Sequence, residues 1–163
     1  VKGMGLTAGF DWNTKNDGYA SRKQMLVVGP TAFINVPAGF LNVGLHLLHE
    51  SNRPSFVTSR YTYDLHPMLT ASWGIPVGAS GWSFEGYGNW IAAKGKDEQG
   101  YGTAPEFHVD ARLMYDLSGV SKLPKNTLRA GVGYEYWRNK FGNTNAVSGT
   151  LAKTPMAVVQ YHF

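Results

Sequence analysis

Eight segments of about ten residues are separated in this chain by stretches rich in Gly, Pro, Asn and Ser. In seven of them apolar side chains fall at every second position. A period of two is the signature of a β-strand with one apolar face; a helix would repeat every 3.6 residues. Lys2 to Trp12 sets Met4, Leu6, Ala8, Phe10 and Trp12 against Gly3, Gly5, Thr7, Gly9 and Asp11. Phe40 to Glu50 sets Leu41, Val43, Leu45 and Leu47 against Asn42, Gly44, His46 and Glu50. Pro67 to Val77 sets Leu69, Ala71, Trp73, Ile75 and Val77 against Thr70, Ser72 and Gly74. Trp82 to Ala93, Phe107 to Asp116, Leu128 to Trp137 and the terminal AVVQYHF repeat the pattern. Between Gln24 and Val36 the two faces are hard to tell apart.

The connections alternate too. Asn13 to Lys23, Ser51 to His66, Lys94 to Glu106 and Asn139 to Lys153 are long and polar. Pro37 to Gly39 and Gly78 to Gly81 are tight, and Ser118 to Asn126 is of moderate length. Strands of about ten residues, joined by long loops on one side and short turns on the other, are the habit of outer-membrane barrels. The short turns and Phe163 then face the periplasm. On the apolar face, Phe40, Trp82, Phe84, Tyr115, Tyr161 and Phe163 are expected near the short-turn rim. Trp12, Trp90, Phe107 and Tyr136 are expected near the long-loop rim. Two aromatic girdles around an aliphatic band suit a bilayer with two interfaces.

A water-soluble barrel or sandwich would turn this apolar face inward and cover its outside densely with charge. Here the opposite face is instead rich in Gly, Thr, Ser and Asn with isolated charges of both signs. Charged residues are only 16% of the 163, and mean hydropathy is −0.25. No apolar run is long enough for a spanning helix, which says nothing against a membrane barrel. The expected fold is therefore all-β: one domain over residues 1–163, an antiparallel up-and-down transmembrane β-barrel with eight strands visible. Without Cys there is no disulfide framework and no thiolate metal site. The net charge of +4 is scattered, so nucleic acid is not the expected partner. No signal sequence opens the chain; an exported protein would have reached this form by processing or truncation.

Other motifs are weak. DWNTKNDG (Asp11 to Gly18) resembles a calcium loop in composition only, lacking its spacing and closing Glu. GMGLTAG (Gly3 to Gly9) has the wrong spacing for a dinucleotide fingerprint, and no helix follows. His46, His49 and His66 lie toward the outer side, where a rim role outweighs a metal site. Ser51, His108 and Asp110 have no arrangement that supports a hydrolase, and an enzyme is not expected.

Several stretches carry a family resemblance: VKGMGLTAGFDWNTKNDGYASRKQ, HLLHESNRPS, HPMLTASWGIPVGAS, FEGYGNWIAAKGKDE followed by TAPE, YEYWRNKFGN and KTPMAVVQYHF. Together they resemble the Tsx-like outer-membrane family, the nucleoside-specific channel-forming proteins, over nearly the whole chain. The resemblance implies a monomeric, narrow channel with nucleoside sites along its lumen. It also implies twelve strands, and this chain supplies about eight, beginning where the fifth would begin. Either four strands precede those present here, or a shortened relative closes with eight. An eight-stranded interior is about filled by its own side chains, so strand number decides whether a pore exists. The terminal Phe163 resembles the signal read by the bacterial barrel-assembly machinery.

If the polar face lines a lumen, a neutral nucleoside needs aromatic faces plus paired donors and acceptors there. Tyr87, Asn89, Glu85, Asp110, Arg112, Arg129 and Glu135 are the candidate contacts. Glu85, Arg112 and Arg129 are expected toward the periplasmic half, Asn89, His108, Asp110 and Glu135 toward the outer half, with Tyr87 between. Mixed signs argue against a phosphate pore, which would show a ring of Arg and Lys. The competing outcome is that inward Glu and Arg pair with one another and plug the interior. Inward glycines either make room for solute or relieve bending strain. The expected function is passive uptake of nucleosides or similar small polar solutes through the bacterial outer membrane. No cofactor or metal is expected; lipid and solute are the partners. The alternative is a closed structural barrel whose loops form an attachment site for phage or another surface ligand.

Overall fold

The structure, a computed structural model, describes residues 1–13, 21–144 and 148–163. The alternating segments form strands β1 (Gly3–Trp12), β2 (Gln24–Ile34), β3 (Phe40–Asn52), β5 (His66–Pro76), β6 (Trp82–Ile91), β7 (Glu106–Asp116), β8 (Leu128–Arg138) and β9 (Leu151–Tyr161). A two-residue strand, β4 (Tyr61–Thr62), pairs with the end of β3 and was not expected from sequence. A single 3-10 turn (Lys140–Gly142) follows β8.

Every pairing between consecutive long strands is antiparallel, in the order β1-β2-β3-β5-β6-β7-β8-β9. The chain therefore runs up and down, with long and short connections at opposite ends, as the sequence implied. Among the described residues β1 bonds only to β2 and β9 only to β8, so the sheet has two edges. The β2–β3 ladder skips Gly29 and Pro30. Pro30 has no N–H to donate, and Gly29 lies so close to β3 that a Cβ there would collide with the Leu45 carbonyl.

The sheet is strongly curled. Met25 of β2 and Trp137 of β8 line the same 320 Å³ recess. Laid flat, strands five places apart would be separated by about 24 Å, five spacings of about 4.8 Å. Two glycines on the concave face mark where this bending brings backbones together: at Gly29 and Gly131 a side chain would strike the carbonyl of Leu45 or Leu113 on the neighbouring strand. Gly9 on the same face has nothing within 4 Å and does leave room. Open space and close backbone approach thus both occur at glycines of this face, at different positions.

The two faces divide by chemistry. The convex face is apolar and exposed, with Leu6 77%, Phe10 82% and Val159 74% accessible. Trp90, Phe107 and Tyr136 lie toward its long-loop end, and Trp82, Phe84, Tyr115 and Tyr161 toward its short-turn end, in register across the strands. Its charged residues Arg138 and Lys153 sit at the long-loop end. Phe40 departs from expectation. It pairs with Gly74 and lays its ring over that glycine, on the concave face with Asn42 and Ser72. The alternation of β3 puts even-numbered residues inside, and Phe40 obeys that parity rather than its own hydrophobicity. The faces of β2 were hard to separate because both are apolar: Leu26 and Val28 lie on the convex face, Met25, Val27 and Phe33 on the concave one.

Candidate functional site: the concave face

All seven candidate residues fall on the concave face of β6, β7 and β8, since each strand contributes every second residue. The register stacks them in rows. Asn89, His108 and Trp137 form the row nearest the long loops. Tyr87, Asp110 and Glu135 form the next, and Glu85 and Arg112 the one below. Arg129 lies nearest the short turns, opposite Asp116 and Gln160. Glu85, Arg112 and Arg129 thus lie on the short-turn side of Asn89, His108, Asp110 and Glu135, as expected, but Tyr87 shares the row of Asp110 and Glu135 instead of lying between the two groups.

Most charges on this face are paired. Arg112 grips Asp110 through two parallel bonds, Nε to Oδ1 at 2.8 Å and Nη2 to Oδ2 at 2.9 Å. This fork geometry is the strong form of a guanidinium–carboxylate contact. Arg129 pairs with Glu85 at 2.9 Å and also donates to Ser83 and to Gln160. His108 Nε2 meets Glu135 Oε1 at 3.0 Å. An array of satisfied pairs presents dipoles of both signs and little net field, which suits a neutral polar solute better than an ion.

An aromatic ladder crosses the same region, and only Tyr87 of it had been among the candidates. The Tyr87 ring meets His108 edge-on at 5.3 Å, His108 stacks on Trp137 at 4.4 Å, and Trp137 meets Phe141 at 5.2 Å. Trp137 Nε1 donates to Glu106 Oε1 at 2.5 Å. Trp137 was legible in principle, because it shares the parity of Glu135. Phe141 was not, because it lies in a loop.

The long-loop end of the trough is the most tightly built part. Lys94 Nζ and Glu50 Oε1 are 2.8 Å apart and both buried, and the ammonium lies 4.1 Å from the centre of the Tyr63 ring. Tyr63 donates its hydroxyl proton to Glu98 at 2.9 Å and accepts a bond from Asn52. Burial first, and then the Glu98 carboxylate, hold this phenol far above its usual pKa, so it remains a donor. Glu50, Asn52, Tyr63 and Glu98 border a recess of about 480 Å³ shared with Asp11, Lys23 and Phe141. His66, Asn89, Lys94, Glu106, Trp137 and Phe141 border the 320 Å³ recess. At the opposite end, Glu85 and Arg129 line a 710 Å³ opening with Phe40 and Phe163.

The histidines do not gather. His46 and His66 are buried on the concave face, whereas His49 lies on the convex one. No group of metal-binding side chains occurs among the described residues. Of DWNTKNDG, Thr14 onward lies outside the described residues. Comparison with protein-family models, with curated proteins and with solved structures finds no match to this chain.

Proposed function

We propose that the sheet is the wall of a β-barrel in the bacterial outer membrane, and that its concave face lines a passive channel for nucleosides or similar small polar solutes. The observation that carries this is the inversion of the faces. Exposed Leu, Phe and Val occupy the convex side, while the five ion pairs among the described residues lie on the concave side or at its mouth. A soluble protein rarely leaves so large a contiguous apolar surface in water. Strands of 10 to 13 residues are long enough to cross a bilayer when tilted. The edges at β1 and β9 are where such a barrel closes, on each other or on further strands. Lipid is then the partner of the convex face, the assembly machinery reads the Phe163 strand, and the channel works as a monomer.

Transport follows from weak binding: Tyr87 offers a ring face, and the Asp110–Arg112 and His108–Glu135 pairs offer donors and acceptors for ribose and base. No cofactor and no turnover are involved. The test is entry of labelled thymidine into vesicles carrying the folded protein. Entry should saturate, and Tyr87→Ala should remove the saturation; unchanged saturation in that variant would take Tyr87 out of the site.

One observation favours a second reading. Arg112, Arg129, Glu85 and Asp110 are bonded to one another rather than standing free. In a closed eight-stranded barrel such pairs would fill the interior. The long loops would then do the work as an attachment site for phage or another surface ligand. Loop deletions would abolish attachment, and Tyr87→Ala would be silent.

A further inference from the structure

Two features at the long-loop mouth are only partly used by the fold's own contacts, and both border the 320 Å³ recess. The first is His66. It is 1% exposed, and its Nδ1 lies 2.8 Å from the Asp64 carbonyl, which only accepts. In the neutral ring the proton therefore sits on Nδ1, which leaves Nε2 as a bare acceptor. Nε2 is buried and has no hydrogen-bond partner among the described residues. A buried acceptor without a donor costs about 1–3 kcal/mol, so a fold keeps one where something else supplies the donor.

The second is Phe141. Its backbone is left-handed, with φ 61° and ψ 21°, a conformation that bulky side chains avoid. Asn139, two residues earlier, is left-handed as well. The turn is nevertheless tied down. Asn139 Nδ2 donates to the Pro105 carbonyl at 2.8 Å, and Ala104 N–H to the Gly142 carbonyl at 2.8 Å. The ring so held is 60% exposed and borders both recesses at this end of the trough. Strain of about 1–3 kcal/mol, spent to hold a large apolar ring in a polar mouth, marks a contact surface.

We propose that Phe141 and His66 form a binding subsite for a flat heterocycle that carries a ring N–H or an exocyclic amino group. The ring lies against Phe141, and its donor reaches His66 Nε2. The subsite rests on the channel reading only for the route by which solute arrives; binding itself needs no conduction. It selects for donor-bearing bases over their N-alkylated forms.

The experiment is equilibrium binding of thymidine and of 3-methylthymidine, which lacks the ring N–H, to the full chain folded in lipid nanodiscs. Thymidine should bind about three- to tenfold more tightly, the range for one hydrogen bond. His66→Phe should level the two, and Phe141→Ala should weaken both by about fivefold or more. Equal affinities in the unaltered protein would overturn the proposal without any variant. Discrimination that survives His66→Phe would also overturn it, by assigning the effect to the bulk of the methyl group. Thymidine binding that depends on His66, in a chain that passes no current, would uphold the subsite while removing the channel. Current blocked by adenosine, with no thymidine binding at the mouth, would do the reverse.

Discussion

Leu45 and His46 are consecutive residues of β3, yet Leu45 is 57% exposed and His46 is 5% exposed. The same division holds strand after strand. On the convex side, exposed apolar residues run from Leu6 to Val159, and the charged residues Arg138 and Lys153 keep to one end. On the concave side, Asp110, Arg112, Glu85 and Arg129 are locked in pairs, and Lys94 and Glu50 are buried together. The difference teaches that the two faces were shaped by different surroundings. Burial of charge on one side is tolerated because each partner is bonded; exposure of Leu and Phe on the other is tolerated if the surroundings there are not water.

Four single substitutions and one double change would break or sharpen that contrast, each read as the urea midpoint of the folded protein in lipid vesicles. Lys94→Met leaves Glu50 buried and unpaired, and should cost about 3–5 kcal/mol. The double change Lys94→Met with Glu50→Leu should recover most of that; no recovery would mean that the ammonium's contact with Tyr63 matters more than the pair. Val132→Arg, at the middle of the convex face of β8, comes next. It should cost about 2–4 kcal/mol against lipid. In water an exposed Val→Arg change stays within about 0.5 kcal/mol, and a value that small would return the convex face to solvent. Gly131→Ala drives a methyl into the Leu113 carbonyl and should cost about 1–3 kcal/mol. Gly9→Ala, on the same face with open space around it, should be neutral or gain about 0.5–1 kcal/mol.

Much of the fold was legible because a strand's period is two and needs no tertiary knowledge. Once the parity of β7 was read from Phe107 and His108, the positions of Asp110 and Arg112 followed, and the rows they share with Tyr87 and Glu85 followed from antiparallel register. Phe40 was misplaced because its hydrophobicity was allowed to outrank its parity. Tyr63, Lys94 and Phe141 escaped for a different reason. They stand in connections, where no period operates, and reach the trough only because long loops fold over its mouth. That inward Glu and Arg pair was foreseen, but which partner Arg129 takes was not, since it and Glu85 belong to strands two places apart that curl toward each other. Residues on one strand face can be grouped from sequence; contacts made by curvature and by loops cannot.

The most direct test of the channel is single-channel conductance of the purified 163-residue chain in a planar bilayer, with and without adenosine or thymidine. Discrete current steps that either nucleoside reduces are the expected result, and they require an open lumen with a binding site. A bilayer that shows no steps at any protein concentration would contradict a channel formed by these strands alone, and would leave either a closed barrel filled by the paired charges of the concave face or a wall that closes on further strands.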